Sequence, residues 1–146
     1  MTTPGYKYIE AAELVEKLKE RETNPHAVAI VDVRDDDFDG GNIVGARNVP
    51  SSVFSNRVLD VADELRSYEH VVFHCALSQQ RGPKAARIYS EIREAALTNG
   101  RWPDDGMTAG DQEVLVLRDG FVGFGPRYKD DKNLVENWKS DAGIWF

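Results

Sequence analysis

The sequence predicts an α/β fold, a mainly parallel sheet flanked by helices, and three observations carry that prediction. Apolar runs of strand length, Ala27 to Val33, Val71 to His74 and Val114 to Leu117, are continuous rather than alternating, the pattern of strands covered on both faces. Between them lie segments with the spacing of amphipathic helices. The two kinds of segment alternate along the chain, as in parallel sheets whose strands are joined by helical crossovers.

Taken in order, Glu10 to Glu22 sets Ala11, Leu14, Val15 and Leu18 on one helical face and is closed by Asn24 and Pro25. The Ala27 to Val33 strand follows, then an acidic turn from Asp35 to Gly41 and a short extended piece, Ile43 to Pro50. Phe54, Val58, Val61, Ala62 and Leu65 mark a second amphipathic helix, ahead of the Val71 to His74 strand. Arg81 to Ala96 is a third helix with Ala85, Ile88, Tyr89 and Ile92 inward; Pro83 is tolerated there because it lies in the first turn. Thr98 to Gln112, polar and interrupted by Gly100, Pro103, Gly106 and Gly110, is expected to be a mobile surface insertion. Val114 to Leu117 is a third central strand, and Lys132 to Trp138 is expected to form a last short helix with Leu134, Val135 and Trp138 inward.

A chain of 146 residues suits one domain, residues 1–146, with 41% hydrophobic and 29% charged residues and no apolar run of membrane-spanning length. The start, Met1 to Tyr8, lacks the pattern of a secretory signal, so a cytoplasmic or nuclear location is expected. A net charge of −7 argues against nucleic acid or an anionic membrane as the main partner. The single cysteine, Cys75, excludes an internal disulfide framework, and His26, His70 and His74 show no metal-ligand spacing, so no metal is expected.

The chemistry is expected in the stretch from His74 to Pro83, which leaves a buried strand and opens a helix. Ligands collect at the carboxyl ends of strands in open α/β sheets, and a helix N-terminus offers free N–H groups and the positive end of its dipole. Ala76, Leu77, Ser78, Gln79 and Gln80 can curl into a nest of N–H groups for a tetrahedral anion, with Arg81 supplying a planar fork to two of its oxygens. The same surroundings favour the thiolate of Cys75 over an ordinary thiol, whose pKa is about 8.5. Cys75 is thus a candidate nucleophile, and a Cys-x5-Arg spacing joined to a strand end, a helix start and Gly82-Pro83 carries more information than a lone cysteine.

The His74-Cys75-(x5)-Arg81 loop, with Val31-Asp32-Val33-Arg34, Phe38, Gly41-Asn42-Ile43, Gly45-Ala46 and Asn48-Val49-Pro50 upstream and Val116 to Phe121 downstream, resembles a known family. It is similar to the rhodanese-fold phosphatases related to the M-phase inducer dual-specificity phosphatases and to the eukaryotic arsenate reductases, most of all the small fungal and plant single-domain members. The resemblance covers roughly Tyr8 to Trp138. It implies a rhodanese-like, five-stranded, mainly parallel sheet with helices on both faces, and a loop sized for phosphate or arsenate; sulfurtransferases of this fold carry a loop one residue shorter. The family usually has histidine where Asn42 stands and a second glycine where Asp119 stands. M-phase inducer phosphatases have loop glutamates where this chain has Ala76 and Gln80, so no loop carboxylic acid is available to protonate a leaving oxygen.

The implied activity is a cysteine-dependent phosphatase, tyrosine-directed or of dual specificity, acting on a phosphoprotein through a cysteinyl-phosphate. The alternative is an arsenate reductase in which glutathione and glutaredoxin, as external reductants, resolve an adduct of Cys75 with this small oxyanion. Neither needs a resident cofactor. Asp32, at the end of a strand beside that of Cys75, either orients His74 or lends a proton, or else fixes the strand end by accepting backbone N–H groups. Arg34 is expected in a structural ion pair. His74, one residue before Cys75 on a strand, points to the opposite face and shapes the loop. Asp35, Asp36, Asp37 and Asp39 are expected to be a solvated acidic turn. Trp138 is expected to pack, and Trp145 and Phe146 to belong to a loose terminus.

Overall fold

The computed structural model describes residues 5–139, so Trp145 and Phe146 lie outside the described residues. Its main sheet has five strands: β1 (Lys7–Ile9), β2 (Val28–Asp32), β4 (Arg47–Asn48), β5 (His70–His74) and β6 (Glu113–Leu117). They lie in the order β1-β6-β5-β2-β4 with every neighbouring pair parallel. Two further strands, β3 (Asn42–Ile43) and β7 (Val135–Glu136), form a separate antiparallel pair.

Side chains alternate across a strand, and both faces of the central strands are apolar, so the sheet carries two cores. On one face Ala29, Val31, Val71, Phe73, Val114 and Val116 pack against the helices α2 (Phe54–Leu65) and α3 (Arg81–Thr98). On the other, Val28, Ile30, Val72, Leu115 and Leu117 meet α1 (Ala11–Lys19) and α4 (Gly120–Tyr128). The expected helical faces are the buried ones: Leu14, Val15 and Leu18 on α1, and all five apolar positions named for α2. On α3, Ala85 and Tyr89 are buried while Ile88 and Ile92 are half-buried; Arg93 and Ala96 complete its inner face.

Two expectations are corrected. Lys132 to Trp138 is not a helix: Val135 and Glu136 pair as β7 with β3, and Asn42 ties the two by donating from Nδ2 to Glu136 Oε2 at 2.8 Å and accepting at Oδ1 from Asn137 Nδ2 at 3.1 Å. The helix of this region lies earlier, at α4, where Gly120, Gly123, Gly125 and Pro126 make a poor helical sequence. Packing overrides propensity there: a Cβ at Gly125 would stand 2.7 Å from Phe121 and 2.9 Å from Trp138.

Thr98 to Gln112, finally, is anchored along its length rather than loose. Asp63 accepts from Arg101 Nε and Nη2 and from Trp102 Nε1, each at 2.8 Å, and Arg101 pulls the Asp63 carboxyl down to a pKa of about 2. Arg66 donates to the Thr108 hydroxyl at 2.7 Å, Arg93 to the Ala109 carbonyl at 2.6 Å, and Gln112 Nε2 to the carbonyls of Leu65 and Tyr68 at 2.7 and 2.9 Å.

Candidate active site

Strands β2 and β5 are paired in register with Asp32 opposite His74, so the segments that follow them emerge side by side at the carboxyl edge of the sheet. Alternation sends His74 into the α1/α4 core and Cys75 toward α2 and α3. Cys75 is 3% exposed, at the base of the loop that closes on Arg81.

Two backbone donors meet its sulfur. The Ser78 N–H points at Sγ from 3.2 Å and the Gly82 N–H, in the first turn of α3, from 3.3 Å. Ser78 reaches this position by taking the left-handed conformation, φ 56°, and its hydroxyl accepts the Cys75 N–H at 3.4 Å. Gly82 packs against the strand end, where a Cβ would come within 3.3 Å of His74 Cα. Amides directed at a sulfur stabilise it as an anion.

The carbonyls of the loop face the other way and are held by α4. Phe121 N–H donates to Cys75 O at 3.0 Å and Val122 N–H to Ala76 O at 2.9 Å. Gly120 makes this possible: at φ 55° its missing Cβ leaves room for both carbonyl oxygens. Asp119, where the family has its second glycine, is left-handed too, at φ 65°. Gly120→Ala is therefore expected to destabilise the protein by at least about 1–2 kcal/mol, the cost of an L-residue in that conformation, before the clash is added. A urea midpoint equal to wild type would show that the loop yields at no cost.

His74 and Asp32 support this edge from below, both fully buried. A carbonyl only accepts, so the 3.1 Å contact of His74 Nδ1 with Cys75 O makes Nδ1 the protonated nitrogen. Burial pushes the imidazole below its ordinary pKa, so it is neutral, and Nε2 stands 3.6 Å from Asp32 Oδ2 without a hydrogen bond. Asp32 is spent on Arg34: it accepts the Arg34 backbone N–H at 3.0 Å, Nε at 3.0 and 3.1 Å, and Nη2 at 2.7 Å. Arg34, 2% exposed, also donates to the carbonyls of Asp37 and Gly41 and lies 4.4 Å over the Phe121 ring. Both Asp32 oxygens are thus committed within a buried pair.

The acidic turn is where sequence reasoning missed a site component. Asp35 and Asp37 are not simply solvated. Asp37 takes a bidentate pair from Arg81, Nη1 to Oδ1 at 3.0 Å and Nη2 to Oδ2 at 2.8 Å, and Asp35 Oδ2 lies 3.3 Å from Nη1. Asp35 is itself fixed by the Ser51 hydroxyl at 2.6 Å and the Ser52 N–H at 3.1 Å. The Arg81 hydrogen bonds hold Asp37 below the usual carboxylate range, Ser51 does the same for Asp35, and Asp37 holds Arg81 above its ordinary value. The available signal was positional: this turn follows the strand adjacent to that of Cys75. Carboxylates absent from residues 76–80 therefore reach the site from another loop.

Beside Arg81 opens a cleft of about 250 Å³. Phe54, Ala85 and Ile88 give it apolar walls, Ser51, Ser55 and Lys84 a polar rim. Ala76 is half-buried, and Leu77, Gln79 and Gln80 are exposed.

Comparison with known proteins gives a consistent result. A family model described as "Rhodanese-like domain" matches residues 10–126. The chain is 33% identical over 121 residues to the dual specificity phosphatase ibp1 of Schizosaccharomyces pombe, covering 77% of this chain and 86% of that protein. It is also 33% identical over 122 residues to arsenate reductase 2.2 of Oryza sativa subsp. japonica, covering 82% of each. Among solved structures, a yeast protein tyrosine phosphatase of the rhodanese family superposes with a TM-score of 0.68 at 26% identity, covering 97% of this chain and 99% of that one.

Proposed function

The chain belongs to the rhodanese-like domain family, and from that premise we propose that it is a cysteine-dependent phosphatase, tyrosine-directed or of dual specificity. The observation that carries the proposal is the pair of N–H groups, from Ser78 and Gly82, directed at the Cys75 sulfur at the base of a loop that ends on Arg81. In the proposed reaction the thiolate attacks phosphorus, the P–O ester bond breaks and the alcohol oxygen leaves with its electron pair. Water then cleaves the S–P bond, releasing phosphate and restoring the thiolate. The other N–H groups of residues 76 to 81, that of Ser78 being directed at the sulfur, and the Arg81 guanidinium stabilise the equatorial oxygens in both steps. The substrate is a phosphoprotein, and the cleft walled by Phe54, Ala85 and Ile88 favours an ester with an aromatic leaving group.

Arsenate reduction is the second reading, favoured by the equal identity to a rice arsenate reductase. Here Cys75 displaces hydroxide from arsenate, and arsenic gains two electrons as Cys75 and an external glutathione thiol join in a disulfide, which glutaredoxin reduces. The cleft weighs toward the phosphatase, because arsenate carries no organic group to fill it.

Purified protein assayed in parallel on aryl and alkyl phosphates, and on arsenate with glutathione and glutaredoxin, tests the choice. Aryl phosphate is expected to turn over without added thiol and alkyl phosphate more slowly, since the walls of Phe54, Ala85 and Ile88 favour an aromatic leaving group. High arsenate turnover beside negligible aryl phosphate turnover would replace the phosphatase by the reductase.

A further inference from the structure

One of the donor forks of Arg81, the Nη1/Nη2 edge, is occupied by the protein itself. Arg81 presents Nη1 and Nη2 to Asp37 in the bidentate geometry that guanidinium also offers to phosphate, and adds a longer contact from Nη1 to Asp35. One N–H edge cannot serve a carboxylate and an oxyanion together. We propose that Asp37 is a resident stand-in for the substrate oxyanion, that the incoming anion displaces it from Arg81, and that the exchange takes up one proton from solvent onto Asp37. This rests on reading residues 75–81 as an oxyanion loop.

The charge count favours the proton. Without ligand, one guanidinium faces two carboxylates; a dianion on the same guanidinium adds two negative charges within hydrogen-bonding range of them, and like charges so placed are relieved by protonating one. The other charged and titratable groups here are Lys84, at the rim of the cleft on α3, the Cys75 thiol on the loop after β5, and Asp36 and Asp39 in the same turn. Arg34 reaches only the main-chain oxygen of Asp37. Of the two carboxylates Asp37 is the one that titrates. Its low pKa depends chiefly on Arg81, which the anion removes, whereas that of Asp35 depends chiefly on Ser51, which stays.

The sign follows from linkage. The complex binds a proton that the free protein does not, so affinity falls as pH rises, by up to about tenfold per pH unit between the Asp37 pKa in the free protein and its raised value in the complex. Outside that window affinity is flat.

Sulfate is the suitable probe because it stays a dianion across this range, and Cys75→Ser is the suitable background because it removes the thiol as a proton acceptor. Calorimetry in buffers of different ionisation enthalpy, repeated across a pH series that spans that window, is expected to show uptake rising to about one proton per sulfate bound inside it. Asp37→Asn in that background is expected to bind sulfate several-fold more tightly, with no proton uptake and no pH dependence, while Asp35→Asn keeps the uptake. Asn retains an oxygen for the Asp35 N–H, which Asp37 Oδ1 accepts at 2.9 Å, and Asp37→Ser serves as a second variant with a polar acceptor. Sulfate binding with no proton uptake, or weaker binding by both Asp37 variants, would show that Asp37 merely braces Arg81 and would overturn the exchange alone. If neither sulfate nor phosphate binds wild type or Cys75→Ser at any pH, the oxyanion loop itself falls, and the exchange with it.

Discussion

Cys75→Ser is expected to abolish turnover, by at least about 10⁴-fold in kcat, while leaving a folded protein. A serine hydroxyl stays protonated at neutral pH, and His74, which lies on the opposite face and donates through Nδ1 to Cys75 O, is not placed to deprotonate it. The fold should survive because the hydroxyl is close in size to the thiol and can accept the same N–H groups from Ser78 and Gly82. Kinetics with an aryl phosphate, paired with a melting curve and a circular dichroism spectrum, check both halves. Substantial turnover by the folded variant would end the covalent mechanism.

The second large effect is expected at Arg81. Arg81→Lys keeps the charge but replaces a planar fork by a single ammonium, so the bidentate clamp on the oxyanion is lost; removal of one such transition-state donor typically costs about 10²–10³-fold in kcat. The loss should fall on kcat/KM for every phosphate ester alike, because the clamp holds the phosphoryl group and not the leaving group. The variant also gives up the paired contacts to Asp37, so oxyanion affinity and rate have to be measured separately. Wild-type kcat/KM in Arg81→Lys would remove the arginine from the mechanism.

Much of this architecture was legible in the chain before any tertiary structure. Three continuous apolar runs became β2, β5 and β6, and the helical spacing of Phe54, Val58, Val61, Ala62 and Leu65 became the buried face of α2. The opposite facing of His74 and Cys75 followed from strand alternation alone. These features are local: side-chain period and residue type report burial within a few residues of sequence, and so does the junction of strand end, loop and helix start that placed the Cys75 loop.

What only the tertiary structure decided depends on residues that meet across long separations. The Asp37–Arg81 pair spans 44 positions and the Asp63 anchors of Arg101 and Trp102 span 38 and 39, so the turn and the insertion each looked polar and unattached in sequence. Helix α4 and strand β7 follow the same rule, since Gly120, Gly125 and Asn42 matter through the close approaches they permit and the partners they bind. Periodicity measures whether a side chain is buried. Which charge it meets, and which backbone comes near enough to require a glycine, are set by how the chain returns in space.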